Sequence, residues 1–326
     1  MIAMNFSKKL LRVVSALLLT ALSFMFIYGC DNTESEEIPV TVGFSVHFID
    51  VGNGDSIFVR LPDGKNMLID CGANQNDNLQ NIKRVLDTYS VKTIDYLVLT
   101  HPDIDHVGNA ESIIKSYQVK RAYIPNVYNI EEYPRFDKAV DALRESSAEI
   151  KYSSLGDGVL QDDYVIAFLS PCSSSLGDPY GDFNKTPTPT DSEINDLSPI
   201  IYLEYANVKF LFTGDAGVNQ ERLVLTNYEV GLYTQAFYGR VNLSNIDFLK
   251  VAHHGANGST SKDLLDEIMP TNAIISVGGD NVYGHPSSVI LNRLYENNEN
   301  MNVLRTDVYG NISVSVDEDG QYQINK

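Results

Sequence analysis

The stretch DYLVLTHPDIDHVGN, residues 95–109, decides how this chain folds. Its first six residues are mostly aliphatic and aromatic and predict a buried strand. Four polar side chains follow within six residues, namely His101, Asp103, Asp105 and His106. Capping of a following helix would need only one such residue. Because neutral imidazole and ionised carboxylate bind first-row divalent metals, this turn predicts a site for two cations about 3.5 to 4 Å apart.

The remaining histidines support a metal site, since five of the six in the chain fall in short stretches rich in Asp and Gly. His253 and His254 lie in KVAHHGANGS, and His285 lies in VYGHPSS. Strand-like alternation predicts that only one of the adjacent pair points inward, and the sequence leaves open which one. His47 lies in an alternating strand and is predicted to be a packed or surface histidine.

The chain otherwise alternates predicted strands and helices and shows no solenoid repeat. Turn residues GNGD and PDG separate three short apolar runs near its start, which is typical of hairpins. About 280 residues follow the N-terminal segment, enough for one α/β domain with helices covering a sheet. Residues 171–196 are rich in Ser, Pro, Gly and Asp and predict a long surface loop, either a lid or a plain insertion.

These motifs resemble the metallo-β-lactamase superfamily, whose ligand signature is His-x-His-x-Asp-His. Asp103 stands here in place of the second histidine, a variant typical of the extracytoplasmic hydrolase domain of ComEC-type DNA-uptake proteins. Similar blocks occur before and after this signature: HFIDVGNGDSIFV (47–59), MLIDCG (67–72), NDLSPIIYLEY (195–205), FLFTGDA (210–216), LKVAHHG (249–255) and ISVGGDNVYGHP (275–286). The resemblance implies a single α+β sandwich domain over residues 44–326, with the four-layer αββα metallo-β-lactamase fold.

The resemblance also implies roles for individual residues. One cation would bind His101, Asp103 and a bridging Asp215, and the other would bind Asp105, His106, Asp215 and His285. Asp215 can also be explained as a helix N-cap. No histidine occurs between 107 and 252, so the ligand set is rich in oxygen and Mn²⁺ or Mg²⁺ competes with Zn²⁺. The implied catalytic residues are Asp105, His253 and His254, one of the two histidines protonating the leaving group.

Four further residues are candidates for supporting roles. Asp50 and Asp70 end predicted strands, and an early Asp of this superfamily orients the ligand turn by hydrogen bonding to it. Both are more simply explained as structural residues than as direct ligands. Asn195 and Ser198 lie in a ComEC-type block and are candidates for substrate contact, although a turn role explains them nearly as well.

The motifs together predict a metal-dependent hydrolase, in particular a phosphodiesterase or nuclease-like enzyme in which a hydroxide bridging two cations attacks the substrate. A β-lactamase or lactonase is the first alternative, and Asp103 and the missing middle histidine speak against it. A non-catalytic binding module that has kept the fold is the second. The near-complete set of ligands speaks against that alternative.

The net charge of the chain limits the kind of substrate that it is expected to bind. The formal net charge is −19, and residues 1–29 contain three basic and no acidic residues, so the remainder is more acidic still. Binding of nucleic acid depends mostly on Lys and Arg near phosphates. A phosphodiester or another small hydrolysable substrate is therefore expected, and nucleic acid is disfavoured, although a metal pair can attract a phosphate locally.

The N-terminus predicts targeting to the membrane. Three basic residues precede an apolar run of about 17 residues that ends at Cys30. This layout resembles a lipoprotein signal over residues 1–29, with lipid on Cys30, residues 30–43 as a flexible tether and an extracytoplasmic, membrane-anchored hydrolase. An uncleaved membrane anchor is the alternative. Cys71 and Cys172 are expected to be free, buried thiols, although they could form a disulfide.

Overall fold

The computed structural model of the protein describes residues 43–127, 133–171, 190–279 and 281–326. Among these residues the strands form two sheets, and helices pack on the sheets' outer faces. The predicted signal segment, Cys30 and nearly all of the predicted tether lie outside the described residues. So do Cys172 and residues 172–189 of the predicted loop.

Eight of the described strands form the first sheet, in the order β15-β14-β1-β2-β3-β4-β5-β6. Their bounds are β1 (Phe44–Phe48), β2 (Ile57–Arg60), β3 (Asn66–Ile69), β4 (Thr93–Val98), β5 (Gln118–Ile124), β6 (Glu149–Tyr152), β14 (Ile312–Val316) and β15 (Tyr322–Asn325). Neighbours from β3 to β6 are parallel. Their carboxyl ends therefore share one edge, where β4 delivers the turn that carries the first predicted ligands.

The second sheet contains seven described strands, in the order β13-β12-β11-β10-β9-β8-β7. They are β7 (Gly158–Leu160), β8 (Tyr164–Phe168), β9 (Ile201–Tyr205), β10 (Val208–Phe212), β11 (Phe248–Lys250), β12 (Asn272–Ile275) and β13 (Asn302–Arg305). Neighbours from β10 to β13 are parallel. The loops after β10, β11 and β12 therefore leave the same edge of this sheet, and they carry Asp215, the pair His253 and His254, and His285, respectively.

Helices connect the strands and cover both sheets. They are α1 (Asn76–Thr88), α2 (Ile104–Val107), α3 (Ala110–Ser116), α4 (Pro134–Glu145), α5 (Asp191–Asn195), α6 (Val218–Glu229), α7 (Leu232–Ala236), α8 (Lys262–Ile268), α9 (Ser288–Asn297) and α10 (Thr306–Tyr309), with a 3₁₀ turn at Ala252–Gly255. Helix α1 buries Ile82 and Leu86, as its helical spacing predicts. No helix in the described part of the chain combines the length and the apolar character needed to cross a bilayer.

The core has three layers because side chains alternate across each strand. In β2, Ile57 and Val59 face the cluster between the two sheets, and Phe58 faces the cluster under the helices of the first sheet. In β10, Phe210 and Phe212 face inward, and Leu211 packs under the helices of the second sheet. The layers are therefore helices, sheet, sheet and helices, which confirms the predicted αββα sandwich.

The end of the predicted surface loop is ordered differently from the prediction. Residues 191–195 form helix α5, which begins with a capping box between Thr190 and Glu193. The Thr190 hydroxyl accepts a hydrogen bond from the Glu193 N–H at 3.3 Å, and the Glu193 carboxylate accepts one from the Thr190 N–H at 2.8 Å. This helix places Asn195 and Ser198 next to the site described below.

Candidate metal centre

The first ligand region consists of residues 100–106, which follow β4 and extend into helix α2. His101 and His106 are fully buried, and their ring centroids lie 4.1 Å apart. Asp103 stands immediately before α2, and one of its carboxylate oxygens lies 3.5 Å from Nε2 of His101. Two imidazoles and a carboxylate therefore meet at the carboxyl edge of the first sheet.

Asp70 holds this region in place. Its carboxylate accepts hydrogen bonds from the Thr100 N–H at 2.8 Å and from the Thr100 hydroxyl at 2.7 Å. It also lies 2.8 Å from Nδ1 of His106. A carboxylate at Nδ1 fixes the ring and leaves Nε2 of His106 free to face the centre. The structure thus puts Asp70 where a residue that orients a metal ligand would stand.

Asp50 is directed elsewhere. Its carboxylate accepts a hydrogen bond from the Gly52 N–H at 3.1 Å, and its backbone contacts the side chains of Asn81 and Asn311. None of these hydrogen bonds reaches the first ligand region. The prediction that Asp50 orients that region is therefore not supported by its contacts, because its strand end points toward helix α1 instead.

The second ligand region consists of Gly214 and Asp215 after β10 and of His253 and His254 after β11. Asp215 is buried, and it lies close to four imidazoles. The distances from its carboxylate oxygens to Nε2 are 3.9 Å for His101, 3.4 Å for His106, 3.7 Å for His253 and 3.6 Å for His254. This carboxylate therefore joins the two regions.

Both histidines of the adjacent pair face the site, so the prediction that only one does so was wrong. The reason lies in the backbone, which is left-handed at His253 (φ 48°) and His254 (φ 52°) and does not continue the alternation of β11. Nε2 of His254 lies 3.3 Å from Nε2 of His106 and 3.4 Å from Asp105. Its Nδ1 lies 2.8 Å from the Ser276 carbonyl, an acceptor that keeps the proton on Nδ1 and leaves Nε2 as a free donor atom for a metal.

Asn195 and Ser198 also reach the site. The amide nitrogen of Asn195 lies 3.3 Å from Nδ1 of His253. The Ser198 hydroxyl lies 3.3 Å from Nδ1 of His101 and accepts a hydrogen bond from the Asp215 N–H at 3.1 Å. Asn195 contacts His253, and Ser198 contacts His101 and Asp215. These contacts orient side chains of the site.

His285 stands at the edge of this arrangement. Its ring centroid lies 5.7 Å from that of His253, and its Nδ1 is buried without a hydrogen-bond partner among the described residues. Its backbone is held by the Asn281 side chain. None of the clusters of converging ligand atoms in the described chain includes His285, so its role as a late metal ligand stays a prediction.

Two buried residues at the site were missed by the sequence reasoning. Lys250 ends β11, and Asp55 precedes β2; Nζ of Lys250 lies 2.5 Å from Oδ2 of Asp55. Asp55 lies in the GNGD turn and Lys250 in the LKVAHHG block, two stretches that carry the family resemblance. A signal was therefore present, but an aspartate in a turn and a lysine at a strand end are common on protein surfaces.

The described side chains fit a divalent cation. Three groups of ligand atoms each lie within 4.8 Å of one another: His101, His106 and Asp215; Asp105, His106 and His254; and Asp55, Asp70 and His106. Nε2 of His101 and Oδ1 of Asp215 are buried without a hydrogen-bond partner in the described structure. Buried acceptor atoms left without donors favour a bound cation.

Electrostatics supports the same interpretation. Burial lowers the pKa of His106, but the carboxylates of Asp215 and Asp70 outweigh burial and leave this pKa well above its ordinary value. Burial raises the pKa of Asp215, but His106 and His254 outweigh it and leave this pKa well below its ordinary value. The carboxylates thus attract positive charge into the cluster, whether carried by protons or by metal ions.

Comparison with known proteins agrees with this fold. The sequence profile of the metallo-beta-lactamase superfamily matches residues 49–183. The chain carries a metallo-β-lactamase domain. It is 30% identical over 317 residues to ComE operon protein 3 of Bacillus subtilis. The aligned region covers 93% of this chain and 36% of that protein. It is 26% identical over 271 residues to competence protein ComA of Neisseria gonorrhoeae, covering 83% of this chain and 32% of that protein.

These relatives are ComEC-type competence proteins, so the suspected family is confirmed. The chain spans about a third of the length of these two curated relatives. The crystal structure of the metallo-beta-lactamase fold protein YhfI from Bacillus subtilis is similar with a TM-score of 0.49 and 9% identity, over 86% of this chain and 100% of that chain. The metallo-β-lactamase domain supports a metal-dependent hydrolase in general terms, and its His and Asp clusters are able to bind metal ions.

Proposed function

We propose that this protein is a metal-dependent phosphodiesterase that acts on small or nuclease-type phosphodiester substrates. The observation that carries the proposal is the position of Asp215, whose carboxylate lies within 4 Å of four imidazole nitrogens from both sheets. A carboxylate that lies near ligands from both regions would be placed to bind two neighbouring cations.

The ligand atoms divide into two groups around Asp215. His101, Asp103 and Asp215 would hold one cation, and His106, Asp105, His254 and Asp215 would hold the other. His254 thereby adds the imidazole that the sequence lacks between residues 107 and 252. With this mixture of nitrogen and oxygen ligands, Zn²⁺ and Mn²⁺ are the candidate ions. When bound, such cations supply an acidic water as the nucleophile and offset the charge that develops on phosphate oxygens.

His253 is suited to move a proton at the open side of the site. Its side chain is 35% exposed, whereas His101, His106 and His254 are buried. Asn195 faces its Nδ1, and this contact orients the ring with Nε2 toward Asp215. Nε2 is therefore the atom expected to protonate the leaving oxygen.

The substrate class follows from charge as well as from the ligands. The acidic chain disfavours long polyanions, so a small phosphodiester is the proposed substrate and single-stranded DNA is a second arm of the test.

We also propose that residues 1–29 direct the chain across the membrane, that lipid on Cys30 anchors it and that the hydrolase domain lies outside the cytoplasm. Release of the protein into the soluble fraction by a Cys30→Ser substitution would support that location.

The function is tested by incubating the purified protein with bis-p-nitrophenyl phosphate, single-stranded DNA or nitrocefin, each with Mn²⁺ or Zn²⁺. We expect turnover of a phosphodiester and none of nitrocefin. His253→Gln should lower kcat about 10²-fold, because a positioned proton donor contributes at least this much. His47→Gln is the matched control outside the site and should leave turnover unchanged. Absence of phosphodiester turnover by folded, metal-loaded protein would refute the proposal.

A further inference from the structure

A buried lysine stands between the two ligand regions. Lys250 ends β11 in the second sheet, and its side chain is 0% exposed. Its Nζ lies 2.5 Å from Oδ2 of Asp55, which precedes β2 in the first sheet. The same Nζ lies 3.3 Å from the Gly214 carbonyl and 4.0 Å from Oδ1 of Asp215. The ammonium therefore contacts both halves of the sandwich beside the carboxylate that the imidazoles share.

Asp55 is in turn bound to the first ligand region. Its N–H donates to the carbonyl of Asp105 at 3.3 Å, and its carbonyl accepts a hydrogen bond from the Gly72 N–H at 2.8 Å. Its Oδ1 lies 3.8 Å from Nδ1 of His254. The pair of Asp55 and Lys250 thus connects the turn that carries Asp105 with the turn that carries Asp215.

Stability alone does not account for this pair. Removing an ammonium and a carboxylate from water is costly, and apolar side chains of similar volume are often at least as stabilising. The position of the pair suggests another role. Oδ1 of Asp215 lies 4.0 Å from Nζ of Lys250 and 3.4 Å from Nε2 of His106. Oδ2 faces His101, His253 and His254. An ammonium at one oxygen limits rotation of the carboxylate.

We propose that Lys250 is a positioning residue for the metal centre. Its contacts with Gly214 and Asp215 set the orientation of the shared carboxylate, and its contact with Asp55 sets the spacing between the two ligand regions. The ammonium also pairs with Asp55, so we assign this carboxylate to the ion pair and not to the metal, although it belongs to one of the three groups of converging ligand atoms. Lys250 acts through Asp215 and does not touch substrate.

The double variant Asp55→Asn/Lys250→Met tests this role, because it removes the ion pair and leaves the net charge of the site unchanged. We expect it to fold with an unfolding temperature near that of the parent. Calorimetric titration of the metal-free protein should show 10- to 100-fold weaker Mn²⁺ binding, the usual effect of losing a partner that orients metal ligands. The absorption spectrum of bound Co²⁺ should change as well, since the ligand geometry changes.

A second variant covers the case in which the double variant does not fold. Lys250→Arg keeps the charge and moves its centre, so it should also weaken Mn²⁺ binding. Lys209→Met is the control: this lysine lies on the adjacent strand β10, its Nζ donates to the Ser244 carbonyl, and its loss should leave Mn²⁺ binding unchanged.

Parental Mn²⁺ affinity and Co²⁺ spectrum in the folded double variant, or parental affinity in Lys250→Arg if the double variant is unfolded, would overturn the proposal. Neither readout depends on turnover. A protein that binds metal with these expected changes and hydrolyses no phosphodiester would refute the proposed function and leave the role of Lys250 intact. Failure of the parent to bind either ion would refute both.

Discussion

The two ligand regions build one site in different ways. In residues 100–106, the ligands are close in sequence, and the Asp70 carboxylate holds them in place by accepting hydrogen bonds from Thr100 and contacting Nδ1 of His106. In the second region, the backbone itself is unusual, with φ of 50° at Gly214, 48° at His253 and 52° at His254. The first region therefore depends on side-chain contacts, and the second depends on backbone conformation.

This difference has an energetic consequence. Left-handed backbone at a residue other than glycine costs on the order of 1–3 kcal/mol and persists only where the surrounding structure enforces it. His253 and His254 both adopt it, and in return both imidazoles reach Asp215. The second region thus gives up stability to bring adjacent histidines to the same carboxylate, which an ordinary strand could not do.

The largest expected effect comes from the residue where the two regions meet. Asp215→Asn should lower phosphodiester turnover about 10³-fold or more, because losing about 4 kcal/mol of charge stabilisation corresponds to three factors of ten. Calorimetry with Mn²⁺ should show weaker binding as well. Asp50→Asn is the matched control, since its carboxylate contacts Gly52 and not the ligands. Equal turnover in the two variants would show that the regions do not share a metal centre at Asp215.

The second prediction concerns the side-chain contacts of the first region. Asp70→Asn should reduce Mn²⁺ affinity 10- to 100-fold, because a carboxylate beside Nδ1 of a metal-binding histidine orients the ring and increases its basicity. The measurement is metal titration of the folded variant. Thr100→Val removes a single hydroxyl donor to Asp70 and should have a smaller effect. The opposite order of the two variants would contradict the role assigned to Asp70.

The contrast between the regions also explains what the sequence could predict. The spacing of His101, Asp103, Asp105 and His106 reveals a site because these residues are neighbours after a strand. The alternation of strands and helices likewise predicts a sheet covered by helices, whereas the two facing sheets were implied only by the family resemblance. Asp215 required the family resemblance, because one aspartate after a strand is also an ordinary helix cap.

The directions of His253 and His254 and the pairing of Asp55 with Lys250 could not be predicted from the spacing of residues in the sequence. Period-two alternation predicts opposite directions for His253 and His254, and only the left-handed turn reverses that conclusion. Asp55 and Lys250 are almost 200 positions apart in the chain and meet only because β2 and β11 belong to facing sheets. Long-range ion pairs of this kind carry no local signal.

A third prediction tests the backbone of the second region. Gly214→Ala should destabilise the fold by about 1–3 kcal/mol and weaken Mn²⁺ binding, because φ is positive and an added Cβ would lie 2.9 Å from Cβ of Ser198. Gly231→Ala is the control, since its φ is also positive and nothing lies within 4 Å of its added Cβ. Chemical denaturation of both variants separates backbone strain from the clash. Equal loss of stability would mean that the approach of Gly214 to Ser198 is unimportant.

The smallest expected effect concerns His47, a buried histidine that, unlike His106, has no carboxylate among the causes of its shifted pKa. Burial, aided by the charge of Arg60, lowers the pKa of His47 to about 4, whereas the carboxylates raise that of His106. His47 takes up a proton near 6.5 when unfolded, so its stabilising contribution is present above pH 6.5 and is lost as pH falls toward 4. Between pH 7 and pH 6 the expected loss is about 0.7 kcal/mol. Urea unfolding at pH 7 and pH 6 should show that the free energy of unfolding falls less in His47→Gln than in the parent, by about 0.7 kcal/mol. Identical pH dependence of the variant and its parent would contradict the assignment.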